Sequence, residues 1–237
     1  MKALILNSGL GSRMGVLTSE HPKCMTEIYG NDTILSRQLR MLKEAGVKDI
    51  VITIGYYDSV LVDYTHSLDM KMNITYVKNP DYSKTNYIYS IYCAKEYLED
   101  DVLLMHGDLV FEESVLNDLL NCSQSCMKVS STLPLPEKDF KAVVKNGYVE
   151  KVGIEFFDSA MEAQAMYKLN KTDWMKWLNQ ICMYCENDRT NCYAEVALND
   201  ICSDCHIVAL DVKDRICSEI DNVEDLEKVN ERIRKNG

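Results

Sequence analysis

Along the first half of the chain, short apolar runs alternate with amphipathic segments. Ala3 to Leu6, Ile50 to Ile54, Ile74 to Val77 and Val102 to Met105 are nearly continuous apolar runs, the pattern of strands buried on both faces. Between the first two, Ile34, Leu35, Leu39, Leu42 and Ala45 recur at helical spacing and stop at Gly46, a residue suited to the position after a helix end. A second helix is predicted to carry Tyr89, Tyr92, Cys93 and Leu98, and a third to cover Val115 to Leu120. Strands alternating with helices predict an α/β layer architecture with a largely parallel sheet.

After Leu133 the rhythm changes. Pro134 and Pro136 break it, and Ala142 to Val144 followed by Tyr148 to Val152 around Asn146-Gly147 predict a β-hairpin with a type I′ turn. Residues from approximately 134 to 193 are read as a small β-rich insert facing the substrate, within one domain spanning 1–237. Trp174, Trp177, Leu178, Ile181, Cys182 and Cys185 form a helical stripe that needs a core to lie on. A last helix begins near Asn222 and carries Val223, Leu226, Val229 and Ile233. No internal repeat, low-complexity tract or linker interrupts the chain.

With 46% of its 237 residues apolar and 27% charged, the chain has enough material for a substantial core. Its 26 Lys and Arg against 37 Asp and Glu give a net charge of −11, which argues against nucleic-acid or anionic-membrane partners. A phosphate ligand must then be met by a few local cations or a metal. The apolar run in MKALILNSGLGSR is far shorter than a signal segment or the roughly 20 residues of a bilayer span, so a cytoplasmic location is expected. In that compartment the ten cysteines are expected as reduced thiols, mostly buried.

The first candidate for chemistry is the turn after the first strand, Leu6-Asn7-Ser8-Gly9-Leu10-Gly11-Ser12-Arg13-Met14, followed by Pro22-Lys23. Its glycines permit backbone approach to a polyphosphate, and Arg13 and Lys23 supply positive charge. It is not a Walker loop, because no G-K-[ST] closes it, and Met14 stands where a dinucleotide fingerprint has its third glycine. The stretch GLGSRMGVLTSEHPKCM resembles the GxGxRxxPLTxxxPKxL signature of nucleotidyltransferases that couple an NTP to a phosphorylated small molecule. The resemblance runs through most of the chain. It implies a Rossmann-like sheet, a nucleotide over the glycine-rich loop (Leu6, Asn7, Ser8, Gly9, Gly11 and Ser12), and Arg13 and Lys23 on the triphosphate. Two departures stand inside it: Asn7-Ser8 replaces Ala-Ala against the base, and the signature proline before Leu17-Thr18 is missing.

Asp108, in Leu103-Leu104-Met105-His106-Gly107-Asp108, falls at the carboxyl end of a buried strand, where open α/β sheets place their ligands and a carboxylate is well placed for Mg²⁺. Asp221, in Glu219-Ile220-Asp221-Asn222-Val223-Glu224-Asp225-Leu226, is its candidate partner, although Asp221 or Asn222 also suits a helix N-cap. Together they resemble the two metal-binding aspartates of this family, in the EIDxxxDL wording of its small cytidylyltransferases. The segment from Asn79 to Tyr92, with Asn86, Tyr87 and Ser90 entering a helix, stands where the family reads the base. It looks most like bacterial phosphocholine and aminoethylphosphonate cytidylyltransferases. Thr85 or Asn86 is also a helix N-cap candidate there. Tyr193 and Glu195 lie where relatives present residues to the acceptor, and an aromatic ring with an acidic group suits an ammonium.

Two further patterns have plainer readings. Cys182-x2-Cys185 and Cys202-x2-Cys205, sixteen residues apart, match a zinc-ribbon spacing, yet the first pair continues the Trp174–Ile181 stripe and is expected as buried thiols. His106 is expected to pack or to orient a neighbour. The function expected is Mg²⁺-dependent transfer of CMP from CTP to a small phosphorylated alcohol or phosphonate, releasing pyrophosphate. Phosphocholine is the first acceptor expected, with phosphoethanolamine and aminoethylphosphonate next. Activity on a sugar 1-phosphate and a non-catalytic nucleotide-sensing module are the alternatives.

Overall fold

In the computed structural model, which describes residues 1–9 and 11–236, the element order begins β1 (Lys2–Asn7), α1 (Ile34–Glu44), β2 (Asp49–Ile54), α2 (Asp58–Ser67), β3 (Asn73–Lys78) and α3 (Tyr87–Ala94). It continues with β4 (Val102–His106), β5 (Leu109–Phe111), α4 (Glu113–Asn121), β6 (Cys126–Ser130), β7 (Lys141–Lys145), β8 (Tyr148–Gly153) and β9 (Ala160–Leu169). The last elements are α5 (Lys171–Glu186), α6 (Ala194–Asn199), β10 (Val208–Asp211), β11 (Cys217–Glu219) and α7 (Val223–Asn236).

The main sheet has the order β3-β2-β1-β4-β9-β6-β10-β8-β7. Its first four strands are parallel, with Leu4 opposite Val51 on one side and Leu103 opposite Ala3 on the other. Each carries apolar residues on both faces because both are covered. Leu4, Leu6, Val51 and Leu104 pack with α3 and α5, while Ala3, Ile5, Ile52 and Met105 pack with α1 and α4. The first helix opens on a reciprocal cap: Thr33 Oγ1 accepts from the Ser36 N–H, and Ser36 Oγ accepts from the Thr33 N–H.

Beyond β4 the sheet is mixed: its pairings are antiparallel except that of β6 with β10, so the largely parallel pattern belongs chiefly to the first half. β9 enters antiparallel between β4 and β6, and it also pairs with β7, so that β9, β6, β10, β8 and β7 form a closed ring. The expected hairpin is β7 and β8, turning at Asn146 (φ 53°) and Gly147 (φ 83°). β9 itself has no counterpart in the sequence reading, because its inward polar residues hide it. Glu162 is buried against Lys128 and Gln164, and the Lys168 ammonium donates to the carbonyls of Cys122 and Gln124 and to Asn170 Oδ1. The expected stripe of α5 does lie on the core, with Trp174 and Trp177 donating their indole N–H to the carbonyls of Leu98 and Ala194 at 2.8 and 2.9 Å. Among the described residues, no helix is long and apolar enough to cross a membrane.

Candidate active site

The turns after β1, β3 and β4 and the start of α7 converge at the carboxyl ends of the parallel strands, where a doubly wound sheet offers a crevice. Two glycines shape this crevice. Gly15 sits at φ 58°, ψ −123°, a positive-φ conformation that glycine adopts readily and other residues rarely do. Gly107 meets Asn7 so closely that a β-carbon there would lie 1.6 Å from the Asn7 side-chain oxygen.

Lys23 is the hub of the crevice. Its ammonium donates to Asp108 Oδ2 at 2.6 Å and to Asp221 Oδ1 at 2.5 Å, while Arg13 grips Asp221 through both oxygens at 2.8 and 2.9 Å. Burial opposes the Lys23 charge, but the two aspartates outweigh it and hold its pKa above the usual lysine range. Burial likewise favours a neutral Asp108, but Lys23 and His106 outweigh it and keep the carboxyl below its usual range. Asp221 is free for this role because Asn222 serves as the cap: Asn222 Oδ1 accepts from the Asp225 N–H, and Asp225 in turn accepts from the Asp221 N–H.

Three adjoining cavities share Asp108 as a wall. The first, of about 270 Å³, is lined by Leu6, Asn7, Gly9, Gly11, Arg13, Pro22 and Lys23. The second, of about 280 Å³, is lined by Leu6, Ser8, Gly9, Asn79, Tyr82, Thr85, Asn86, Tyr87, Ser90 and His106. The third, of about 200 Å³, is lined by Arg13, Tyr87, His106, Lys138, Asp139, Phe140, Ile154, Tyr193, Glu219 and Asp221. Its aromatic wall is continuous, with Tyr193 centred 5.9 Å from Tyr87 and 5.1 Å from Phe140. Burial, and then the Asp221 charge, push the Asp139 carboxyl above its usual range.

The residues singled out in the sequence thus gather around these cavities, with three exceptions. The side chain of Ser12 and the whole of Leu10 lie outside the described residues. Glu195 corrects its expected role in direct acceptor contact: it is 1% exposed, lies beneath the aromatic wall and accepts hydrogen bonds from the phenols of Tyr87 and Tyr167. Burial raises its pKa above the ordinary glutamate value. Asn86 caps α3 with its side-chain oxygen and lines the second cavity as well.

His106 belongs to the site more directly than its sequence position suggested. Its Nδ1 lies 2.7 Å from Glu219 Oε1, its Nε2 has no partner among the described residues, and its ring stands edge-on to Tyr87 at 4.7 Å. Burial favours the neutral ring, but Glu219 and Asp108 lift its pKa to about 9. Among the described residues, His106, Asp108 and Glu219 form one group whose ligand atoms lie within 4.8 Å of one another. Phe140 and Asp139 also escaped the sequence reading, because nothing in their own neighbourhood marks them until β7 brings them beside Tyr193.

The CxxC residues reach separate carbonyls. The thiols of Cys185, Cys202 and Cys205 donate to Ile88, Val149 and Asp173, and all ten cysteines are free thiols.

A glycine-rich turn with a lysine behind it, at the end of a parallel strand and facing paired carboxylates, defines a nucleotidyltransferase. The chain belongs to the MobA-like NTP transferase domain family, whose model matches residues 3–133, more than half of the chain. It is 30% identical over 169 residues to the CTP:phosphoglutamine cytidylyltransferase of Campylobacter jejuni, a match covering 65% of each protein. It is 33% identical over 165 residues to the CMP-5'-(3-aminopropyl)phosphonate synthase of Streptomyces rubellomurinus, covering 70% of this chain and 26% of the relative. The chain therefore spans less than two thirds of the length of these two relatives. The solved CTP:phosphocholine cytidylyltransferase of Streptococcus pneumoniae superposes with a TM-score of 0.78 over 98% of both chains at 22% identity, which shows a common fold.

Proposed function

We propose that this protein transfers CMP from CTP to a small phosphorylated alcohol or phosphonate and releases pyrophosphate. The observation that carries the reading is the meeting of three cavities at Asp108. One is cationic and suits a triphosphate, one is lined by polar side chains and suits a base, and one joins an aromatic wall to carboxylates and to the cations Arg13, Lys138 and His106. The last suits an ammonium-bearing acceptor, with Tyr87, Phe140 and Tyr193 offering ring faces and Asp139 the charge. Phosphocholine is the first acceptor, with phosphoethanolamine and aminoethylphosphonate next. The relatives support acceptors of this general kind, since their names specify phosphoglutamine, an aminopropylphosphonate and phosphocholine.

An acceptor phosphate, with a second pKa of about 6, is already a competent nucleophile at neutral pH, so no side chain must remove a proton from it. Catalysis then rests on alignment and charge neutralisation. Lys23 lines the triphosphate cavity while touching both aspartates, so it can exchange carboxylate oxygens for phosphate oxygens without moving its backbone. Arg13, whose side chain is 69% exposed, is similarly placed to leave Asp221 for a phosphate. A divalent cation fits the donor set: Asp108 and Asp221 converge on a single positive group, and the buried Asp108 Oδ1 has no partner among the described residues. Bound there, Mg²⁺ would withdraw charge from the α-phosphate.

The test is mass spectrometry of products after incubation of CTP and Mg²⁺ with phosphocholine, phosphoethanolamine, aminoethylphosphonate and hexose 1-phosphates. A CDP- or CMP-linked amine product supports the reading. A nucleotide sugar alone moves the acceptor to the other class, and CTP binding without pyrophosphate release makes the chain a sensor.

A further inference from the structure

The second cavity contains a hydrogen-bond relay whose direction is fixed from behind. Asn79, just beyond β3, is 1% exposed, and its Oδ1 accepts from the Asp81 backbone N–H at 2.9 Å. That bond settles which end of the amide is oxygen. The Nδ2 group therefore spends its two protons on Thr85 Oγ1 at 3.1 Å and Ser90 Oγ at 3.0 Å. The Thr85 hydroxyl proton is committed to the Asp81 carbonyl at 2.8 Å. Ser90 differs: its oxygen accepts from Asn79, its own proton has no acceptor among the described residues, and it lines the cavity. Ser8, 7% exposed, lines the same cavity with a buried hydroxyl that likewise has no partner among the described residues. Buried hydroxyls without partners are costly, and a ligand that supplies the missing acceptor recovers that cost.

We infer that Asn79 is a positioning residue that sets the polarity of the base pocket, holding Ser90 as a donor and thereby selecting cytosine over uracil. The inference rests on the cytidylyltransferase reading. Cytosine presents an unprotonated N3 and a neighbouring amino group, whereas uracil presents N3–H and a second carbonyl. A hydroxyl that points its proton into the cavity complements the N3 lone pair of cytosine and opposes the N3–H of uracil. The O2 atom, common to both bases, cannot discriminate between them. A site built to donate to one ligand atom rejects the analogue in which that atom is itself a donor.

Asn79→Asp tests this by reversing the relay. A carboxylate keeps the bond from the Asp81 N–H but can only accept, so the Ser90 proton turns toward it and a lone pair faces the cavity. The measurement is equilibrium binding of CTP and of UTP by calorimetry, with melting temperature as a check on folding. Wild type should prefer CTP, and Asn79→Asp should reduce that preference at least about ten-fold. Ser90→Ala should weaken CTP binding, and in the Ser90→Ala background Asn79→Asp should no longer alter the CTP/UTP ratio. A folded Asn79→Asp protein with the wild-type ratio overturns the inference and leaves the proposed function standing. Wild type that binds CTP no better than UTP overturns the inference and the cytidylyl reading together. Should Asn79→Asp fail to fold, Ser90→Ala decides: an unchanged CTP/UTP ratio there overturns the inference.

Discussion

The two halves of the sheet solve different problems. From β3 to β4 the strands are parallel, apolar on both faces and covered by helices, and residues lining the first two cavities sit in the turns at their ends. From β9 to β7 the strands close into a ring that buries charge, with Lys128 paired to Glu162 between neighbouring strands and Lys168 tied to main-chain oxygens. The third cavity draws Phe140 and Ile154 from the edges of this ring and Tyr193 from the start of α6. An apolar platform thus carries the glycine-rich turn and Asp108, and a polar ring borders the aromatic cavity that the proposed function gives to the acceptor.

The sharpest way to break this contrast is through the buried ion pair. Lys128→Met leaves the Glu162 charge without its cation and should cost about 3–5 kcal/mol in chemical denaturation, whereas Lys128→Met with Glu162→Met together should recover most of that loss. Equal stability of the single and double variants would show that the pair does not define the ring.

At the junction of the halves, Asp108→Asn and Asp221→Asn should each lower turnover by about two orders of magnitude at saturating Mg²⁺ with the fold retained, because an amide binds the cation far more weakly. Lys23→Ala should reduce the rate of the chemical step more than it weakens CTP binding, since the charge it opposes grows as pyrophosphate departs. A single-turnover experiment separates the two effects. A defect confined to KM would make Lys23 a ground-state contact.

Tyr193→Ala should raise the acceptor KM about five- to ten-fold through the lost ring face and leave CTP affinity unchanged. A matching loss in CTP affinity would mean that the two halves are not separable.

The smallest effect concerns the thiols. Burial pushes Cys126, Cys202 and Cys217 up to about 12, so each is protonated at neutral pH, and its reactive thiolate fraction rises about ten-fold per pH unit until that value is reached. Iodoacetamide at about pH 7.5 should leave these three unlabelled in the folded protein and label them after denaturation, as read by peptide mass spectrometry. Rapid native labelling of Cys126, in β6, without labelling of Cys217, in β11 against β5, would show that the polar ring opens more readily than the platform.

The same contrast explains what could be read from the sequence. The four parallel strands were legible because Ala3–Leu6 or Val102–Met105 need only burial, and burial leaves a continuous apolar run. Asp108 and Lys23 were legible because a strand end and a turn are local. β9 was not, since its inward Glu162, Gln164 and Lys168 are tolerated only by partners on other segments, and partners distant in sequence leave no local pattern. The depth of Glu195 was not legible, because a carboxylate beneath two phenols is spelled the same way as one facing a ligand.

The insertion of β9 between β4 and β6 also bears on how the chain acquires its shape. β1 to β4 precede it and can assemble as they leave the ribosome, yet the open edge of β4 waits for residues 160–169 before its hydrogen bonds are met. Until then that edge is a bare template for pairing with other chains, and the loop that must close to cover it is long. Sheet completion is therefore governed by late, non-local contacts. Slow synthesis or crowding should threaten yield most while β4 is finished and β9 is not.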